Sequence, residues 1–93
     1  MGLVGSGVLG PGQGEYFDVA LRSGSTYSIY VVPSEPGVDF DLYVHDENGN
    51  LVSQDTSTSS DALCLITPVW TGPFRLTVRS ARGLSSYSIR VEG

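Results

Sequence analysis

An all-β fold is predicted for this 93-residue chain, specifically an antiparallel β-sandwich of seven or eight strands with Greek-key or jelly-roll connections. Three observations predict it. Apolar and polar residues alternate with period two in run after run, as they must when successive side chains point to opposite faces of a strand. The runs are separated by Gly, Pro, Asn, Asp and Ser, the residues that tight turns require. No window carries an apolar stripe at helical spacing. Nine aromatics and many Val, Leu and Ile supply one core, and a chain of this size buries roughly 65% of its unfolded surface, enough for a single domain.

In chain order, Met1–Gly14 holds six of the twelve glycines and reads as a flexible linker or, through Leu3, Val4, Val8 and Leu9, as a short edge strand; residues 15–93 then form the single sandwich domain. Tyr16–Leu21 turns Phe17, Val19 and Leu21 inward and Asp18 and Ala20 outward. Thr26–Val32 turns Tyr27, Ile29 and Val31 inward and Ser28 and Tyr30 outward, and the Ser23-Gly24-Ser25 turn predicts that these two runs form a hairpin. Pro33 to Gly37 breaks the ribbon, since Pro cannot donate to a ladder.

Val38–His45 alternates most strictly, with Val38, Phe40, Leu42 and Val44 on one face and Asp39, Asp41, Tyr43 and His45 on the other. Asn48-Gly49 supplies a tight turn, and Leu51-Val52 starts the returning strand. The rest of the chain is organised around this hairpin. Ser53–Asp61 is a polar loop. Ala62–Thr67 contains four consecutive apolar residues, Leu63 to Ile66, which suits a strand covered on both sides or one at a sandwich corner. Pro68–Pro73 bends the chain. Phe74, Leu76 and Val78 alternate against Arg75, Thr77 and Arg79, and after a turn at Gly83, Tyr87, Ile89 and Val91 alternate against Ser88, Arg90 and Glu92. Antiparallel pairing of these last two runs would set Arg75 opposite Arg90, which calls for an acid nearby, with Asp39, Asp41 and Glu92 available. An anion or an acidic partner is the alternative reading of these arginines.

The stretch VDFDLYVHDENGNLVSQD resembles the centre of the bacterial pre-peptidase C-terminal domain family, whose pattern is an apolar residue, Asp-x-Asp-Leu-Tyr, an Asn-Gly turn and a polar loop. GEYFDVALRSGSTYSIYV before it and TGPFRLTVRSARGLSSYSIRVE after it are similar to the flanking blocks, so the resemblance runs from about Gly10 to Glu92. It implies a small sandwich attached to an exported bacterial protein, extracellular or periplasmic, which assists secretion, folding or substrate attachment of a linked enzyme such as a peptidase. The chain is accordingly expected to be a module of a longer protein, with Met1 an added start.

Composition narrows the function. Ten acids against five arginines and no lysine give a net charge of −5. Nucleic acid and anionic membranes both demand concentrated positive charge, so neither is an expected partner. No apolar run approaches the ~20 residues needed to span a bilayer. The single cysteine, Cys64, permits no internal disulfide and reads as a buried thiol. Gly5-Ser6-Gly7-Val8-Leu9-Gly10 matches a dinucleotide fingerprint in letters only, for Pro11-Gly12 follows it where a helix is required. His45 and Asp46 lack the G-x-S-x-G context of a hydrolase nucleophile, so no catalytic residue is expected.

Two candidate sites remain. Tyr30, Tyr43 and Trp70, with Arg75, form a candidate aromatic binding surface for a protein or polysaccharide, or for neighbouring domains of the parent chain. Asp39, Asp41, Asp46, Asn48 and Asp55 are dense around one hairpin and form a candidate calcium site, which would make the domain a calcium-stabilised spacer. Calcium takes six to eight oxygens. The EF-hand frame fails because Leu51 stands where its glycine belongs. For both sites the alternative is structural: packing for the aromatics, turn capping and arginine pairing for the acids.

Overall fold

A computed structural model describes residues 2–93, and Met1, the proposed start, lies outside it. Eight strands and no helix are present among the described residues: β1 (Gly2–Leu9), β2 (Gly14–Leu21), β3 (Tyr27–Pro33), β4 (Asp39–His45), β5 (Leu51–Asp55), β6 (Ala62–Ile66), β7 (Gly72–Arg82) and β8 (Ser85–Glu92). They make two four-stranded sheets, ordered β1-β8-β3-β6 and β2-β7-β4-β5. Every neighbouring pair is antiparallel.

This order is a jelly roll. The chain behaves as one long ribbon folded in half at the β4–β5 turn, so that β4 meets β5, β3 meets β6, β2 meets β7 and β1 meets β8. Rolling the ribbon adds the β4–β7 and β3–β8 pairings. The turn is built to be the midpoint. Asp46 N–H donates to the Asn50 carbonyl at 2.9 Å, Gly49 N–H to the Asp46 carbonyl at 3.1 Å, and Gly49 takes a φ of 82°. Only Gly49 uses positive φ; Asn48 does not. The loop is therefore a three-residue connection closed by a left-handed glycine, not a two-residue primed turn.

The topology corrects two expected hairpins. Sequence neighbours usually pair, but in a jelly roll only β4 and β5 do. β2 and β3 lie in opposite sheets, and so do β7 and β8. Arg75 therefore never faces Arg90. Its register partners are Asp18 on β2 and His45 on β4, while Arg90 lies 3.7 Å from Glu92.

The core lies between the sheets. Leu21, Ile29, Val31, Phe40, Leu42, Val44, Leu76, Val78, Ile89 and Val91 are fully buried, as the alternation predicts. β6 departs from expectation. Ala62, Cys64 and Ile66 are buried while Leu63 and Leu65 are more than half exposed, because nothing among the described residues covers the outer face of this edge strand. The N-terminal segment is ordered as β1, an edge strand, which replaces the linker reading for Gly2–Leu9. Its glycines are packing residues: a Cβ on Gly5 would strike the Phe17 ring, and one on Gly7 the Glu15 carboxylate. Glu15 in turn accepts a hydrogen bond from the Tyr87 hydroxyl.

Candidate binding face and acidic pair

Residues opposite one another on paired strands share a face, so register alone lays out the outer surface of the β2-β7-β4-β5 sheet. One row reads Asp18, Arg75, His45. The next reads Tyr16, Thr77, Tyr43, Gln54, and a third sets Arg79 beside Asp41. Arg75 donates from Nε to Asp18 Oδ1 at 2.9 Å and from Nη2 to Asp18 Oδ2 at 3.1 Å. Its guanidinium lies 3.8 Å from the centre of the Tyr16 ring. The fork holds the Asp18 carboxyl below the usual carboxylate range and raises the Arg75 guanidinium. Tyr16 is 58% exposed and Tyr43 half-buried. Beside the first row lies a cleft of about 480 Å³, lined by Asp18, His45, Asp46, Glu47 and Arg75, with Pro73 and Phe74 as its apolar wall. No Ser, Thr or Cys lines it.

Of the four residues expected to form a binding surface, the structure brings together two. Tyr43 and Arg75 share this face. Tyr30 lies on the outer face of the other sheet, between Arg90 and Leu63. Trp70 stacks on Phe74 at one end of the sandwich, ring centres 6.5 Å apart, and lines a separate apolar cavity of about 270 Å³ with Val52, Leu65 and Val69. A continuous platform of Tyr30, Tyr43 and Trp70 is therefore not formed, because the two tyrosines face away from one another across the core. Tyr16 and Asp18 complete the face instead. Both were accessible to the period-two rule, which sends them outward along with Ala20; the missing information was that β2 lies beside β7.

The five calcium candidates do not converge. Asp46 Oδ1 accepts Asn48 N–H and Asn50 N–H, each at 2.9 Å, and its Oδ2 accepts the Asn50 side-chain amide at 3.2 Å. The Asn50 bonds hold it below the usual carboxylate range. Asn48 is an exposed turn residue. Asp55 accepts Ser57 N–H at 3.0 Å and Leu63 N–H at 2.8 Å, tying β5 to β6 across the open edge; burial opposes its ionisation, yet these bonds win and lower its pKa. That leaves Asp39 and Asp41. No three His, Cys, Asp or Glu side chains gather into a metal-sized group among the described residues. Cys64 is buried, and burial pushes its thiol up.

No family model and no curated protein matches the sequence. Among solved structures, the chain is similar to the pre-peptidase C-terminal domain of collagenase from Bacillus anthracis, with a TM-score of 0.76 and 19% identity, covering 94% of this chain and 85% of that one. A likeness at this identity establishes the fold, and it is the fold that the three resembling sequence blocks imply.

Proposed function

We propose that this chain is a non-catalytic accessory module of an exported bacterial protein, which attaches a linked enzyme such as a peptidase to a protein or polysaccharide surface. The observation that carries the reading is the Tyr16–Arg75–Asp18 constellation beside Tyr43. An arginine forked by a carboxylate and stacked on an exposed ring contributes nothing to the core, yet it presents a rigid aromatic and cationic surface, the composition that interface anchors favour. The fold likeness to a collagenase domain supports the accessory role. No helix of the described chain is long and apolar enough to cross a membrane, and the extracellular or periplasmic placement comes from the fold likeness alone. The cleft at His45 gives an acyl-transfer reaction no nucleophile, so the face serves contact in this reading.

Co-sedimentation of the chain with insoluble collagen, chitin and cellulose tests this. Retention on at least one matrix is expected, weakened ~tenfold or more by Tyr16→Ala with Tyr43→Ala, as for paired aromatic anchors. Retention that survives the double substitution, or no retention on any of the three, overturns the proposal.

A further inference from the structure

Asp39 and Asp41 are two residues apart on β4, so their side chains leave the same face of the strand about 7 Å apart at the backbone. Asp41 is only 6% exposed. The Oδ1 atoms of both residues are inaccessible to water and have no hydrogen-bond donor. The groups facing them do not supply one. From β7, Arg79 stands opposite Asp41 and Arg82 opposite Asp39, but both arginines are exposed and neither forms an ion pair with these acids. From β5, Asp55 adds a further negative charge beside them. Two carboxylates on one face, each with an oxygen shut off from water and without a donor, oppose one another's ionisation. Calcium would need at least six oxygens, and Asp46 and Asp55 have theirs committed to backbone N–H groups and the Asn50 side-chain amide. One proton satisfies both orphaned atoms, because a protonated carboxyl becomes a donor.

We propose that Asp39 and Asp41 are a proton-sharing carboxyl pair, in which a protonated Asp41 carboxyl donates to the Asp39 carboxylate and so partners both orphaned oxygens. Burial first, then the Asp39 charge, raises the Asp41 pKa, with Arg79 opposing. The sign follows. A carboxyl raised on folding contributes its stability fully below its ordinary value of 3.8, and the contribution is lost as pH rises through the raised value. The pair thus stabilises the module most at and below the ordinary carboxyl value, and progressively less as pH rises above it. Asp18, Asp46 and Asp55 are shifted the other way, so their contributions are complete above the ordinary carboxyl range and have the opposite sign below it.

The test is a series of melting curves in chelator from about pH 4 to about pH 8, from the ordinary carboxyl value upward, all in a His45→Gln background that removes the one imidazole. The parent chain should lose several degrees of Tm across the range. Asp41→Asn, whose amide donates to Asp39 at every pH, should flatten the profile by at least half. In parallel, the carboxyl carbon of Asp41 in the intact chain should titrate above that of an ordinary aspartate, a measurement that survives any failure of the variant to fold. An ordinary titration of that carbon overturns the proposal. So does a rise in Tm at the alkaline end on adding calcium that Asp41→Asn abolishes, for then the pair holds a metal ion and not a proton.

Discussion

Asp18 and Arg75 lie directly opposite one another on β2 and β7 and meet through two parallel N–H···O bonds, while the same guanidinium covers the Tyr16 ring. Three side chains from two strands are thereby held in one arrangement on a face that has no packing duty. Planar, two-point pairing is something an arginine can do and a lysine cannot.

The first prediction concerns this arrangement. Arg75→Ala should lower Tm by a few degrees, since the pair is about half exposed and solvent screens it. Arg75→Lys should recover less than half of the loss, because the charge returns without the fork or the stack. Melting curves at low salt and at about 1 M salt check the cause, for screening over a few ångströms should shrink the electrostatic part. A Tm unchanged in Arg75→Ala would mean that the pairing contributes nothing.

The second prediction concerns β1. Gly5 and Gly7 leave no room for a methyl group, since Phe17 and Glu15 on β2 already occupy the space. Gly5→Ala should cost about 1–3 kcal/mol in denaturant unfolding, the usual range for overpacking, and Gly7→Ala less, since the Glu15 carboxylate it meets ends a flexible side chain. Tyr87→Phe should cost a similar amount, about 1–3 kcal/mol, by leaving the Glu15 carboxylate without its donor. If both glycine variants unfold at the parental midpoint, β1 does not press on β2 as described.

What the sequence made legible, and what it did not, divides along a physical line. Period two is local, so it gave the inward sets of β3, β4, β7 and β8 residue by residue. Turn chemistry is local too, and Asn48-Gly49 marked the fold's midpoint. Partnership between strands is not local. Ala62–Thr67 read as a strand covered on both sides or at a sandwich corner because Leu63 and Leu65 are apolar, yet these two face outward on an edge strand. Asp18 could not be matched to Arg75 from a distance of fifty-seven residues without knowing that the chain folds back on itself. The glycines of β1 left a linker and an edge strand both open, because the Phe17 and Glu15 side chains that abut them belong to the opposite sheet. The orphaned oxygens of Asp39 and Asp41 are likewise a tertiary fact, visible only once β7 is seen to offer arginines that do not reach them.

The third prediction concerns the core. Phe40 is 1% exposed and its ring centre lies 5.6 Å from that of Tyr87, bridging the two sheets. Phe40→Ala should cost about 3–5 kcal/mol by the lost transfer energy and the cavity left behind. Against a total of about 5–15 kcal/mol for a domain, that is enough to leave part of the population unfolded at physiological temperature. Phe40→Leu, which keeps more of the volume, should retain cooperative unfolding. Equal losses in the two variants would show that the site does not depend on ring volume.

The last prediction separates the geometry of the central turn from its charge. Asp46 has a lowered pKa, so its stabilising effect is present above the ordinary carboxyl range and is lost as pH falls through the folded-state value. This is the opposite limb from Asp41. Asp46→Ala removes the acceptor for Asn48 and Asn50 N–H and should lower Tm at every pH. Asp46→Asn keeps a carbonyl oxygen where Oδ1 accepts both N–H groups, but it no longer titrates. Its Tm should therefore lie closer to the parent's than to that of Asp46→Ala near neutrality, and its loss of stability in acid should be shallower. Melting curves of the three chains from about pH 2 to about pH 6, bracketing the ordinary carboxyl range, decide the matter. Parallel acid limbs in all three would show that the carboxylate of Asp46 has no part in the acid sensitivity of the fold, and that Asp18 and Asp55 carry it.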